Sequence, residues 1–212
     1  MTERLTIIYN EIPKCEIFAD IGCDHGYIAK AMLDGGKADK VIVSDISEKC
    51  LNKARKLLKY YIENGRAESV VSDGFDRISK CSVALIAGMG GEEIISIMEK
   101  AEILPEKLII QPMKNCDKAR YRAVELGYKI EKDFVFKAGG KFYDLIVLVK
   151  GEDFLTEEEA EFGRTNVIEP RSDFIEMVKF RMEQCEKFLE NIPDGERKKE
   201  LLIQVEKLKK YV

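Results

Sequence analysis

The stretch FADIGCDHGYIAK, Phe18 to Lys30, constrains the fold more than any other part of the chain. A short apolar run, Ile17-Phe18-Ala19, ends on an acid, Asp20. Gly22 and Gly26 follow, and a helical pattern begins at Tyr27. A strand that ends in glycines and turns into a helix gathers backbone N–H groups into a concave nest. In an open α/β sheet such nests lie at the carboxyl edge, where nucleotide-like ligands bind. The residues between the glycines decide which ligand. A dinucleotide fingerprint needs G-x-G-x-x-G, so that a pyrophosphate can approach bare backbone. Here Asp24 stands at the middle glycine and Tyr27 at the last. Asp24 repels a pyrophosphate, and together with Asp20 it suits a cationic ligand. A sulfonium is such a ligand, which makes S-adenosylmethionine the first candidate cofactor.

The rest of the chain repeats the strand-then-helix unit. Glu16–Asp20 reads as the first strand and Tyr27–Leu33 as the first helix, stopped at Gly35-Gly36. Val41–Asp45 is an apolar run of the kind found in buried parallel strands. Ser47 is a plausible N-cap for a long helix to about Glu63, ended by Gly65. Further strands are expected at Glu68–Ser72, Val83–Ala87 and Lys107–Gln111, with helices after Gly91 and from Asn115 to Leu126. Phe134–Lys137 and Phe142–Val149 flank Gly139-Gly140 and read as a closing antiparallel pair. The pattern predicts an α/β fold with a mostly parallel sheet. Residues 3–12 predict a short leading helix, stopped near Pro13.

Past Gly151 the character changes. Residues 156–163 predict one or two helical turns. Phe174, Val178, Arg181, Cys185, Phe188 and Ile192, then Leu201, Val205, Leu208 and Val212, form two stripes around a turn at 191–195. They predict an antiparallel helical hairpin of coiled-coil type. The expected division is residues 1–152 for ligand binding and 153–212 for the hairpin.

Composition limits the partners. Net charge is −4, which gives no general support for nucleic-acid binding. The charge is uneven, however: residues 151–212 hold 11 basic and 16 acidic side chains, against 24 and 23 in residues 1–150. A polyanion would have to meet local basic faces, for which Lys53, Arg55, Lys56 and Lys59, and Lys114, Lys118, Arg120 and Arg122, are the candidates. Such runs on helices are more often solvated faces. Six cysteines without a C-x-x-C argue against zinc, metal ligation and disulfides, and suit a reducing cytoplasm. No apolar run spans a membrane, no secretory leader is visible, and no obligate protein partner is expected.

The polar residues at the strand ends share one edge. Asp45 can take both hydroxyls of a ribose, since a carboxylate has two oxygens and no donor. An NAD enzyme would use the same acid, so Asp45 does not by itself separate the ligands. Asp73 can accept from an adenine amino group, or with Gly74 be only a turn. Asp24 is either a catalytic acid or the N-cap of the first helix, and the two roles can coexist. His25, the only histidine, is more often a polar helix-start residue than a base. Met89 is a floor for a stacked ring or a gap filler.

ADIGCDHGY (19–27), SDG (72–74), AGMGG (87–91), LIIQP (108–112) and GKFYDLIVL (140–148) together resemble the bacterial tRNA (adenine(22)-N1)-methyltransferases, the TrmK family. The resemblance runs in order through residues 1–150, and AGMGG stands where many amino-group methyltransferases carry N/D-P-P-Y. It implies a class I, Rossmann-like, seven-stranded fold with a coiled-coil appendage, S-adenosylmethionine as cofactor and tRNA as substrate. By the same resemblance Asp24 is catalytic. Asp20, Gly22, His25, Asp45, Ile46, Asp73, Gly74, Ala87, Gly88, Met89 and Gly90 hold the cofactor, and Tyr27 and Gln111 face the substrate. Gly26 stands where alanine is common, and Met113 where asparagine is common. Two other readings stay open: a methyltransferase of a small molecule, and a non-catalytic RNA-binding protein with S-adenosylmethionine as a structural ligand.

Overall fold

The computed structural model describes residues 1–78 and 80–212. Strands β1 (Cys15–Ile21), β2 (Ala38–Asp45), β3 (Ala67–Val71), β4 (Val83–Met89) and β5 (Lys107–Pro112) run parallel. β6 (Tyr128–Ala138) and β7 (Lys141–Lys150) complete the sheet as an antiparallel hairpin beside β5. The seven strands lie in the order β3-β2-β1-β4-β5-β7-β6. The chain therefore winds outward from β1 to β3 and then returns to place β4 against β1. This switch point opens a crevice above the carboxyl ends of β1 and β4.

Period-two alternation sorts the side chains to the two faces of the sheet. Phe18, Leu85 and Ile109 join one buried layer with Ile28, Met32, Leu51 and Leu58. Ala19, Ile86 and Ile110 join the other with Ile94, Met98 and Ala119. The first layer is covered by α1 (Glu3–Glu11), α2 (Tyr27–Asp34), α3 (Glu48–Leu57) and α4 (Lys59–Glu63), the second by α5 (Gly91–Lys100) and α6 (Cys116–Glu125).

Two elements differ from expectation. Ser47 does cap α3, its Oγ accepting from the Cys50 amide at 3.3 Å. The expected long helix, however, breaks at Leu58, where φ is −96° and ψ is 8°. Leu58 is buried in the core, so the break turns its side chain inward and redirects α4. β6 begins at Tyr128, six residues before the expected strand. Tyr128 and Ile130 are buried while Lys129 and Glu131 are exposed, a half-buried alternation that a search for continuous apolar runs passes over.

β6 is an edge strand, and its outward amides are met by side chains. Ile130 N–H donates to Asp153 at 2.9 Å, Asp133 to Thr165 Oγ1 at 3.0 Å, Val135 to Asn166 Oδ1 at 3.3 Å and Lys137 to Asp173 at 2.9 Å. The acceptors come from the segment that carries α7 (Glu157–Phe162), α8 (Arg164–Ile168) and the start of α9 (Ser172–Leu189). Beside them Arg120 is wholly buried. It donates from Nε to Asp133 at 2.9 Å, from Nη2 to Asp144 at 2.5 Å and from Nη1 to the Ala160 carbonyl at 3.0 Å.

α9 and α10 (Glu196–Lys209) form the expected hairpin. Its apolar stripes are buried only near the base. Phe174, Val178, Val205 and Leu208 are covered, the first two and Leu208 together with Val135 and Phe162. Phe188 and Val212 are 63% and 52% exposed, against expectation. Two helices cover only one side of each other, and full burial needs the third surface that Val135 and Phe162 supply.

Replacing Arg120 by Met leaves two inward carboxylates without their cation. We expect a loss of about 3–5 kcal/mol, read as a lower midpoint in urea unfolding; a loss below about 1 kcal/mol would contradict the assignment.

Candidate active site

Three residues of the loop after β1 adopt left-handed backbone: Gly22 at φ 70°, Asp24 at 47° and Gly26 at 72°. Aspartate tolerates this region better than most side chains. Asp24 thus keeps the backbone geometry of the glycine it replaces while adding a carboxylate. The loop amides do not form the open nest expected. Gly22 and Cys23 donate to the Ser44 carbonyl at 2.8 and 2.9 Å, and Asp24 donates to Asp45 Oδ2 at 3.2 Å. The loop is fastened to the end of β2, and its side chains are what it presents outward.

The N-cap reading of Asp24 does not hold. The cap position of α2 is Gly26, and no side chain caps this helix. The Asp24 carboxylate instead accepts from His25 Nδ1 at 2.5 Å, with Lys53 Nζ 3.7 Å away. Partial burial pushes its pKa up, but the His25 hydrogen bond and charge and the Lys53 ammonium outweigh that and hold it below the usual carboxylate range. Asp24 is therefore ionised at neutral pH. The His25 and Tyr27 rings stack at 5.4 Å, and Tyr27 is 47% exposed.

Asp20 closes β1 and is buried. Burial pushes its carboxyl up to about 7; the Ala29 amide at the start of α2 pulls it back, and the Asp45 charge adds to the rise. Asp45 at the end of β2 is held at both oxygens, by the Ser47 amide at 2.8 Å and the Asp24 amide. Next to it Ile46 is 74% exposed, an apolar side chain with little protein cover. Asp73, just past β3, accepts from Lys100 Nζ at 3.1 Å, and Gly74 beside it takes φ 62° against Ile97. At the end of β4 the register shifts between Ala87 and Met89, and Gly88 takes φ 81°. Met89 reaches over Gly22, where a Cβ would collide with its methyl group. The loops after β1 and β4 therefore touch at the switch point. An oriented acid at Asp45, bare apolar surface at Ile46 and backbone without a Cβ at Gly22 and Gly88 fit a nucleoside with a short chain attached.

Gln111 lies deeper than a substrate contact would. It is wholly buried, its Oε1 accepts from Arg4 Nη1 at 2.5 Å, and its Nε2 donates to the Pro112 carbonyl at 3.0 Å. Its partner Arg4 went unnoticed in the sequence. The signal was there: Arg4 lies one turn before the buried Ile8, on the same face of α1. The guanidinium also lies 5.7 Å from the Tyr143 ring centroid. Arg4, Asp24, His25, Tyr27 and Tyr143 line one cleft of about 820 Å³. Asp45 and Asp73 lie outside this cleft, at the ends of β2 and β3.

The basic runs seen in sequence are largely neutralised by their neighbours. Arg55 pairs with Glu48, Lys59 with Glu63, Lys118 with Glu92, and Arg122 with Glu99 and Glu125, while Arg120 is buried.

A family pattern described as "Methyltransferase domain" matches residues 1–146. This chain belongs to the methyltransferase-domain family. Within it, the tRNA (adenine(22)-N(1))-methyltransferase of Bacillus subtilis is 27% identical over 157 residues, spanning 72% of this chain and 66% of that protein. Among solved structures, Mycoplasma capricolum TrmK in complex with S-adenosyl-homocysteine superposes at TM-score 0.88 and 24% identity, covering 100% of this chain and 97% of that one. The B. subtilis m1A22 tRNA methyltransferase TrmK superposes at 0.85 and 23%, covering 100% and 98%. The resemblance drawn from the sequence is to this same group. These likenesses extend the shared methyltransferase fold through the helical hairpin. No helix among the described residues is long and apolar enough to cross a membrane.

The raised pKa of Asp20 has a definite sign. The unfolded carboxyl ionises near pH 4 and the folded one near 7. Between these values the folded state holds the extra proton, so stability falls as pH rises through that window. Asp20→Asn removes the effect. Its stability relative to the parent should climb by up to roughly 4 kcal/mol between about pH 4 and pH 7, measured by urea unfolding across pH. Parallel profiles would show that Asp20 ionises normally.

Proposed function

We propose that this chain transfers a methyl group from S-adenosylmethionine to N1 of adenine 22 in tRNA. The observation that carries this reading is the ionised Asp24 carboxylate, raised on a left-handed loop whose Gly22 lies under Met89 at the end of β4 in a methyltransferase fold. The names of the relatives supply the base and the atom. Asp45 would take the ribose hydroxyls, Ile46 the adenine face, and Gly22, Gly88 and Met89 the methionyl side; Asp20 and Gly74 border this site. When bound, the cofactor supplies an electrophilic methyl on a sulfonium.

The chain's own part follows from the acceptor's chemistry. Adenine N1 has an in-plane lone pair and no proton to lose, so no base needs to act first. The ring becomes cationic as it gains the methyl. An ionised carboxylate at its edge stabilises that charge, and the lowered pKa of Asp24 suits this role better than proton abstraction. His25 keeps the carboxylate oriented by donating from Nδ1. Tyr27 offers an exposed ring beside the pair, and Gln111 acts through Arg4. Residues 1–152 would perform the transfer, and residues 153–212 would orient the folded RNA, whose target base must leave its stack to reach the cleft.

Two outcomes are expected. Asp45→Ala should weaken S-adenosylmethionine by about 1.5–3 kcal/mol, the range for charge-assisted hydrogen bonds, in calorimetry. Binding of NADH in place of S-adenosylmethionine would exclude the cofactor assignment. Asp24→Asn keeps the left-handed backbone and the side-chain size. It should hold the cofactor within a few fold of the parent yet methylate tRNA at least ~100-fold more slowly. The readout is nucleoside analysis of tRNA treated with labelled cofactor, with 1-methyladenosine as the expected product. A variant that keeps the parental rate would move the stabilising charge elsewhere.

A further inference from the structure

Four basic side chains converge on the cleft and its neighbour without an acidic partner. Arg4, Lys114, Lys141 and Arg181 have no carboxylate within 4.0 Å among the described residues. Arg4 and Lys141 border the 820 Å³ cleft that contains Asp24. Lys114 and Arg181 border an adjoining cleft of about 310 Å³, and Tyr143 lines both. Lys114 lies over Gly90, its Cε 3.1 Å from where a Cβ would stand. The nearby acids are mostly spent: Asp24 on His25, Asp144 on Arg120, Glu161 on Lys207 and Gln204, and Glu3 on the Gly139 amide. Asp117 is the exception on this rim. On α6 Lys118, Arg120 and Arg122 are each paired with carboxylates, while on α3 Lys53 and Arg55 are paired and Lys49 and Lys56 are not, among the described residues.

Position decides what anion these four cations meet. Arg4 bonds to Gln111 at the end of β5 and lies against Tyr143 on β7. From Asp45 on β2 to β5 is three strand spacings, or about 14 Å at ~4.8 Å each. A nucleoside whose ribose sits on Asp45 therefore lies toward β2 and β3. The Arg4 guanidinium stands over Gly88 of β4, its Nη1 3.4 Å from where a Cβ would lie, at the boundary between the methionyl side and the acceptor's entry. Beyond Arg4, at Lys141, Lys114 and Arg181, the anion to be met is the acceptor's own backbone.

We propose that Arg4, Lys141, Lys114 and Arg181 form a track for successive phosphodiesters of the RNA strand flanking the target base, running from α1 across the start of β7 to the loop before α6 and the middle of α9. This rests on the proposed tRNA reading and adds the surface the strand follows. Phosphate contacts of this kind give affinity and register without reading sequence.

The test is the salt dependence of tRNA binding. Filter binding of tRNA is measured with S-adenosyl-homocysteine present, from about 50 to 200 mM salt. Arg4→Gln, Lys141→Gln, Lys114→Gln and Arg181→Gln should each lower the slope of log K against log salt by about 0.7–0.9. The last three should leave the thermal midpoint unchanged, whereas Arg4→Gln, which frees the buried Gln111 Oε1, should lower it. Lys118→Gln and Arg122→Gln, which remove paired cations, should leave the slope near the parental value. Equal slopes for track and control variants would overturn the track. If Arg4→Gln weakens S-adenosylmethionine tenfold and leaves the RNA slope alone, Arg4 serves the cofactor carboxylate, and its place in the track is refuted. Failure of the parent protein to bind any tRNA would remove the tRNA reading itself, whereas parental binding with unmoved slopes would remove only the track.

Discussion

The outward amides of β6 have to find acceptors, and much of the C-terminal architecture follows from that need. An edge strand with free N–H groups invites pairing with another chain. Here Asp153, Thr165, Asn166 and Asp173 meet those groups in turn, fixing the path of residues 153–173 along the sheet. Arg120 ties the same segment to α6 through the Ala160 carbonyl and to β6 and β7 through two acids. A cation this deep is tolerable only because each of its nitrogens has a partner. The hairpin stands on this base, and its packed core ends where that base ends.

The crevice works on the same logic at smaller scale. Asp45 is held at both oxygens by loop amides, so one side chain orients the end of β2 and anchors the loop that carries Asp24. Asp20 beneath it stays buried and reluctant to ionise, while Asp24 above is exposed and readily ionised. Two acids four residues apart thus have opposite electrostatic characters, set by burial in one case and by a histidine in the other.

The sheet, its winding and the position of the crevice were legible because period-two alternation and strand-end acids are local signals. Asp24, Asp45 and Gly88 could be placed on one edge by counting strands. The hydrogen bonds of the loop could not be read, since the Ser44 carbonyl that takes the Gly22 and Cys23 amides belongs to another strand. Nor could the neutralisation of the basic runs, because the partners of Lys118 and Arg122 lie on α5. Charge along a sequence reports what a face contains, and only the fold reports what it has already spent. Met113 illustrates the limit: it is exposed at 51% beside the crevice, yet its sulfur accepts from the buried Gln111 Nε2 at 3.4 Å, a contact no local pattern announces.

α1 carries the first side chains of the cleft. Lys37 holds its C-terminal end early, at the Tyr9 and Ile12 carbonyls, but its charged side chains find their partners late in the chain. Arg4 bonds to Gln111 across 107 positions, Glu11 to Lys132 across 121 and Glu3 to Gly139 across 136. A chain made from its N-terminus has this helix ready long before its partners exist. The β1 to β4 core closes while α1 still lacks its far contacts, and such distant contacts are slow to form. The mouth of the cleft is thus among the last parts assembled. A ribosome-bound fragment ending before β5 would carry Asp24 on a finished loop but no seated Arg4. Order of synthesis alone therefore keeps a half-made chain from presenting a complete cleft.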